Sequence, residues 1–150
     1  MSNSKKSPPQ NVFLQGAISP AFIAESIAKH SSKHNIGAHN IFLGQVRNDI
    51  IGGKTVRSIE YSTYADMAQN QLHLIREAAF ERFELTCMHI HHSLGEVHVG
   101  EICLFVFTSA PHRHAAVEAC AYIVERIKAE VPIWGKEIFE DESFVWKVNK

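Results

Sequence analysis

Three stretches of this sequence set cations beside backbone that can receive an anion. Arg47 follows Gly44, Gln45 and Val46 at the end of an apolar run and precedes Asn48-Asp49, so it stands where a strand gives way to a loop. The run Thr108-Ser109-Ala110-Pro111-His112-Arg113 leads from a strand straight into a helix. Free N–H groups and the positive dipole end favour an anion at such a start, and His112 and Arg113 add donors and charge. Lys128 closes the same helix, and Pro132-Ile133-Trp134-Gly135-Lys136-Glu137 turns the chain away from it. Guanidinium groups offer paired donors to a phosphate and stay charged. A lysine whose pKa is lowered by neighbouring arginines can serve as general acid–base, and a histidine can carry protons near neutral pH. Each residue also has a plainer reading. Arg47 could be solvated, Lys128 could complement the helix dipole, and Trp134 could be core.

Spacing adds a constraint. Arg113 and Lys128 lie on one predicted helix, with their Cα atoms roughly 22 Å apart at a rise of about 1.5 Å per residue. If both contact one small ligand, they must come from different protomers of a symmetric dimer.

The ten histidines raise the question of a metal, above all His89, His91 and His92 with His98 nearby. On a strand His89 and His91 share a face and His92 points the other way, so a zinc site would want ligands that this run does not supply. No metal or other cofactor is required by the chemistry above. Cys87, Cys103 and Cys120 are odd in number, widely spaced and set among apolar residues, which suits buried thiols rather than a disulfide framework.

These groups need elements to hold them. Residues 1–10, with Pro8-Pro9, read as a disordered tail, and residues 11–150 as one domain. Val12–Ile18 can form a short strand. Ser19-Pro20 then reads as N-cap and first helical residue of a helix over 20–30. Strands follow over 38–46 and 56–61, with a loop between them at Arg47-Asn48-Asp49 and Gly52-Gly53. A helix over 65–83 carries Met67, Leu72, Ile75, Ala79 and Phe83 near one stripe. Strands over 85–92 and 101–108 flank a Gly95–Gly100 stretch that could be a strand of its own. A helix from about His112 to Glu130 stops before Pro132, and 134–139 with 144–148 can close as a hairpin. The mixture predicts an α+β fold with a mostly antiparallel sheet and flanking helices.

Composition excludes other classes. With 150 residues, 45% hydrophobic and 21% charged, the chain has the make-up of a water-soluble globular domain. A net charge of −1 provides no field for nucleic acid or an anionic membrane, so any bound anion depends on a few local cations. The N-terminus lacks a secretory apolar segment, and the apolar run 102–107 is too short to span a bilayer. A reducing, cytoplasmic location is expected.

Taken in order, Phe42-Leu43-Gly44-Gln45-Val46-Arg47-Asn48, Ile59-Glu60-Tyr61, His92-Ser93-Leu94-Gly95-Glu96-Val97, Thr108 to Arg113, and Lys128 through Glu137 resemble the large, catalytic subunits of molybdopterin synthase, the MoaE family. The resemblance runs from about Gly37 to Lys150. It implies an α/β-hammerhead-like fold and a homodimer within a heterotetramer. It also implies a ubiquitin-like small subunit whose C-terminal Gly-Gly thiocarboxylate brings sulfur to cyclic pyranopterin monophosphate, forming the dithiolene of molybdopterin. By the same resemblance Gln45, Val46, Arg47, His112, Arg113, Lys128, Gly135, Lys136 and Glu137 are substrate-binding, and Lys128 and Lys136 catalytic. Ile133, Trp134 and Phe139 become candidates for clasping the partner's tail. The family often carries a second lysine directly after the tryptophan. Here that position is Gly135, with Lys136 next. Two other readings compete: a non-catalytic α+β anion- or nucleotide-binding regulatory module using His112 and Arg113 without Lys128, and a histidine-based metal buffer.

Overall fold

In the computed structural model, which describes residues 12–148, the elements follow in the order β1 (Phe13–Gln15), α1 (Pro20–Ala28), β2 (Ala38–Gln45), β3 (Ile50–Ile51), β4 (Lys54–Thr63), α2 (Ala65–Arg82), β5 (Cys87–His98), β6 (Ile102–Ala110), α3 (Arg113–Glu130), β7 (Ile133–Phe139) and β8 (Phe144–Trp146). The tail expected over 1–10 lies outside the described residues. The strands form one sheet in the order β2-β6-β5-β4-β7-β8, with each of these neighbours antiparallel. β1 joins β5 in parallel, and β3 pairs with β4. The fold is α+β with a mostly antiparallel sheet, as the order of elements suggested.

Strand β6, between β2 and β5, explains the layering. From Cys103 to Ala110 every residue is buried, so both faces of β6 are covered. Leu104 and Val106 join the larger core with Ala68, Leu72, Ile75 and Ala79 of α2 and Ala119, Cys120, Ile123 and Ile127 of α3. Phe105 and Phe107 point the other way, into a smaller core with Ile18 and Ile23 beneath α1. Ser19 Oγ accepts from the N–H of Phe22 at 3.1 Å, and Pro20 opens α1, so that helix starts where the Ser-Pro pair placed it. α3 is a single 18-residue helix packed on β2 and β6. Its two ends are therefore held about 25 Å apart by a rigid rod.

Three local expectations change. The buried stripe of α2 is Ala68, Leu72, Ile75 and Ala79, and Met67 is 59% exposed. A helix turns about 100° per residue, so a side chain one position off the stripe faces water. Ile50-Ile51 form a short strand that Gly52-Gly53 fold back onto β4. Gly95–Gly100 is no separate strand, because β5 runs unbroken from Cys87 to His98. Its first half pairs with β6 and its second half with β4, and Gly95, at φ +81°, sits where the partner changes. Only glycine takes that backbone conformation without strain.

Gly95→Ala should therefore lower the unfolding free energy by about 1–2 kcal/mol, read from urea denaturation. An unchanged midpoint would mean that β5 can change partner without a left-handed residue.

Candidate functional site

The register of β4 and β7 decides which side chains can meet. Tyr61 lies opposite Gly135 and Ile59 opposite Glu137, so these four share the face that looks into the larger core. Glu60 lies opposite Lys136 on the other face. Lys136 makes an ion pair with Glu60 at 3.6 Å, and its ammonium sits 4.6 Å from the Phe144 ring centre and 5.6 Å from that of Trp146. It is therefore turned away from Gly135 and Glu137.

Val46 is 1% exposed and anchors the end of β2. Its N–H donates to the Glu101 carbonyl at 3.1 Å, and its carbonyl accepts from the N–H of Gly100 at 2.9 Å. With both backbone groups used and the side chain in the core, Val46 acts by holding its neighbours: Gln45 and Arg47 on either side are exposed. Arg47 Nε and Nη2 donate to the two carboxylate oxygens of Asp49, each at 3.1 Å. This contact, then the negative charges of Asp49 and Glu137, raise its pKa, so the guanidinium is permanently charged.

Lys128 belongs to the same neighbourhood. The residue as a whole is solvent-accessible, yet burial is the largest cause lowering the pKa of its amine. The positive charges of Lys147 and Arg47 push the same way, while Cys103 and Glu125 oppose them. The sequence suggested that neighbouring arginines would depress this lysine. Lost solvation does more, and one of the two depressing cations is a lysine. Beneath lies Tyr61, whose phenol is pushed up by burial and then by Cys103. His92 meets the Tyr61 ring edge-on at 4.9 Å. Burial lowers its pKa to about 4, so it adds no charge at neutral pH.

Arg47, Lys128 and Glu137 thus gather at one end of the molecule, beside the backbone of Gly135. His112 and Arg113 do not join them within one chain. Both are exposed at the start of α3, and His112 occupies the N-cap position without a side-chain capping bond. The aromatic candidates also divide. Trp134 is 44% exposed and packs edge-on against Tyr64 at 5.3 Å, Ile133 lines the larger core, and Phe139 is 5% exposed and part of the interior. A buried Phe139 cannot clasp a partner's tail. Tyr61, Cys103 and Lys147 were not among the site residues read from sequence. Alternation along β7 was the signal available for Lys136: Gly135 and Glu137 on one face imply that Lys136 leaves it.

The histidines divide as a strand demands, with His92 on the Tyr61 side and His89 and His91 toward α1. There His30, Cys87 and His89 bring three ligand atoms within 4.8 Å of one another. His30 Nε2 lies 3.0 Å from His89 Nε2. However, the Lys33 ammonium donates to the Cys87 sulfur at 3.1 Å, and Arg76 is close enough to feel that thiol. Two fixed cations beside the sulfur oppose a third.

An α+β scaffold thus uses a strand end, a helix end and a hairpin to gather cations and carboxylates at one place. Comparison makes the assignment specific. The family model described as "MoaE protein" matches residues 18–130, and the chain belongs to the MoaE family. It is 41% identical to the molybdopterin synthase catalytic subunit of Pyrococcus abyssi (strain GE5 / Orsay), over 81% of each chain. It is 43% identical to that of Bacillus subtilis (strain 168), over 78% of this chain and 74% of that one. The human catalytic subunit is 40% identical over 76% of this chain, which spans 60% of the human protein. The crystal structure of molybdopterin synthase from Staphylococcus aureus superposes with a TM-score of 0.79 at 32% identity, covering 91% of this chain and 95% of that one. Among the described residues, no helix is long and apolar enough to cross a membrane.

The field at Lys128 can be tested by titration. Removing a positive neighbour favours the protonated amine, so Arg47→Gln should raise the Lys128 pKa, as followed by NMR of isotopically dimethylated lysines. If its titration does not move, Arg47 and Lys128 are not electrostatic neighbours.

Proposed function

We propose that this chain is the catalytic subunit of a molybdopterin synthase. It would receive sulfur from the C-terminal Gly-Gly thiocarboxylate of a ubiquitin-like small subunit and pass it to cyclic pyranopterin monophosphate. The observation that carries this reading is the convergence of Arg47 and Lys128, from opposite ends of the sequence's central region, over the Tyr61–Glu137 face. Arg47 suits the cyclic phosphate, since its fork of donors stays charged at any working pH. The lowered pKa of Lys128 suits a group that gives and takes protons as sulfur adds and phosphate leaves. Sulfur arrives already activated on the partner, so the buried, interior thiols Cys87, Cys103 and Cys120 need take no part. The regulatory-module reading uses only the start of α3 and leaves the Arg47–Lys128 cluster without a purpose.

His112 and Arg113 enter through symmetry. An unbroken α3 separates Arg113 from Lys128 by roughly 22 Å, which no pair of side chains closes around a small pterin. In the proposed homodimer each site takes Lys128 and Arg47 from one protomer and His112 and Arg113 from the other, within a heterotetramer that includes two small subunits. Trp134 and Tyr64 stand together at the surface and suit contact with the partner's tail. The reaction belongs in the cytoplasm, where free thiols and thiocarboxylates persist.

The test is conversion of the pterin precursor with thiocarboxylated partner. Lys128→Ala should nearly abolish turnover with partner binding intact, and Arg113→Ala should act mainly through KM. At substrate far below the raised KM, co-assembling the two variants should then restore about a quarter of wild-type activity, because half the dimers are mixed and each carries one intact site. No recovery in a verified mixed dimer would sink the shared site, and full activity of Lys128→Ala would sink the role of Lys128.

A further inference from the structure

The most informative residue outside the sequence-based set is Lys147, just past β8. Trp146 lies opposite Lys136, so alternation turns Lys147 to the face of Gly135 and Tyr61. Its backbone N–H donates to the Gly135 carbonyl at 2.8 Å, which fixes where the side chain starts. Its stem then crosses directly over the glycine. A Cβ placed on Gly135 would stand 3.4 Å from Lys147 Cδ, with Ile59 Cγ2 at 3.0 Å and Tyr61 Cε1 at 3.4 Å. Gly135 is thus the slot in which the Lys147 stem lies, and any side chain there would compete with it.

The charge at the end of that stem is felt at Lys128. We propose that Lys147 is a functional residue of this site, delivered by β8 through the gap above Gly135 so that its ammonium acts on Lys128 and on the bound anion. Resting on the site assignment above, this answers what stands where Gly135 offers no side chain: Lys147, and not Lys136. The sequence neighbour is held on the opposite face by Glu60, Phe144 and Trp146. Lys147 is half-buried, and its positive charge acts on Lys128 alongside that of Arg47. Such an arrangement costs repulsion, which an anionic ligand would relieve.

The charged and titratable groups facing Lys128 come from every surrounding element. They are Arg47 after β2, His92 of β5, Cys103 of β6, Glu125 on α3 itself and Lys147 after β8. His92 is neutral at working pH, so Lys147 and Arg47 set the positive field. Lys147 is therefore a positioning residue for Lys128, and its loss must appear in a titration as well as in a rate.

Lys147→Met is the first variant, since it keeps an apolar stem over Gly135 and removes only the charge. The Lys128 pKa should rise, and the acidic limb of the pH–rate profile should move to higher pH. Turnover near neutral pH should fall at least about tenfold. Lys147→Arg should restore most of it. The sharper test is exchange: in a Lys147→Ala background, Gly135→Lys should return a cation to the same space and recover activity, whereas Gly135→Lys alone should not help because the slot is filled. An unmoved Lys128 titration in Lys147→Met would overturn the proposal, as would an exchange variant that folds, by thermal denaturation, without recovering. The titration needs no substrate, so it still decides the role of Lys147 if the wild-type protein proves inactive in the sulfur-transfer assay.

Discussion

Like charges held together against their own repulsion are what the rest of this structure has to support. Two unit charges about 4 Å apart interact by roughly 1 kcal/mol in bulk water and several-fold more where solvent is thinned. Arg47 and Lys147 both lower the Lys128 pKa, and nothing local to any of the three would bring them together. Each is held by backbone whose position was fixed for other reasons. Val46 is pinned to Glu101 and Gly100, α3 is packed on β2 and β6, and Lys147 is bonded to Gly135. Asp49 and Glu137 offset part of the excess charge. Glu125 of α3 opposes it at Lys128 as well, so the cations sit within a network of both signs held by a rigid frame.

The same frame accounts for the acid–base character of the site. Lys128 is depressed by burial first and by positive neighbours second, and the neighbouring histidine is driven neutral by burial. A neutral His92 under the amine spares the cluster a further charge. Tyr61, held in its protonated form by burial, forms an inert floor that can donate a hydrogen bond without ionising. These features match sulfur transfer in which the partner brings the nucleophile and this chain supplies grip and proton management. Membership of the MoaE family, with relatives that are molybdopterin synthase catalytic subunits, gives that division of labour its setting.

Helix α3 acts as a ruler. One end presents His112 and Arg113, the other Lys128, and eighteen residues of unbroken helix keep them apart. A single chain therefore displays the two sets of cations at a fixed separation. A two-fold axis is the simplest operation that joins an N-terminal half from one copy to a C-terminal half from another, and it makes two equivalent sites at once.

Much of this was legible in the residues alone. Ser19-Pro20 announced α1, the halt before Pro132 set the end of α3, and the fifteen-residue interval already set Arg113 and Lys128 at opposite ends of one helix. Caps, prolines and helical rise are local properties, so a sequence carries them without reference to the fold. The tertiary structure decided the rest. Lys136 looked like the natural companion of Lys128 because it sits next to Gly135, but strand alternation turns adjacent residues to opposite faces. Phe139 looked like a surface aromatic until β4 covered it, and Met67 missed the buried stripe by one helical step. Lys147 gave no sign of itself in the chain. It enters the site only because β7 and β8 pair in one register and a missing side chain leaves it room, and register depends on contacts between residues far apart in sequence.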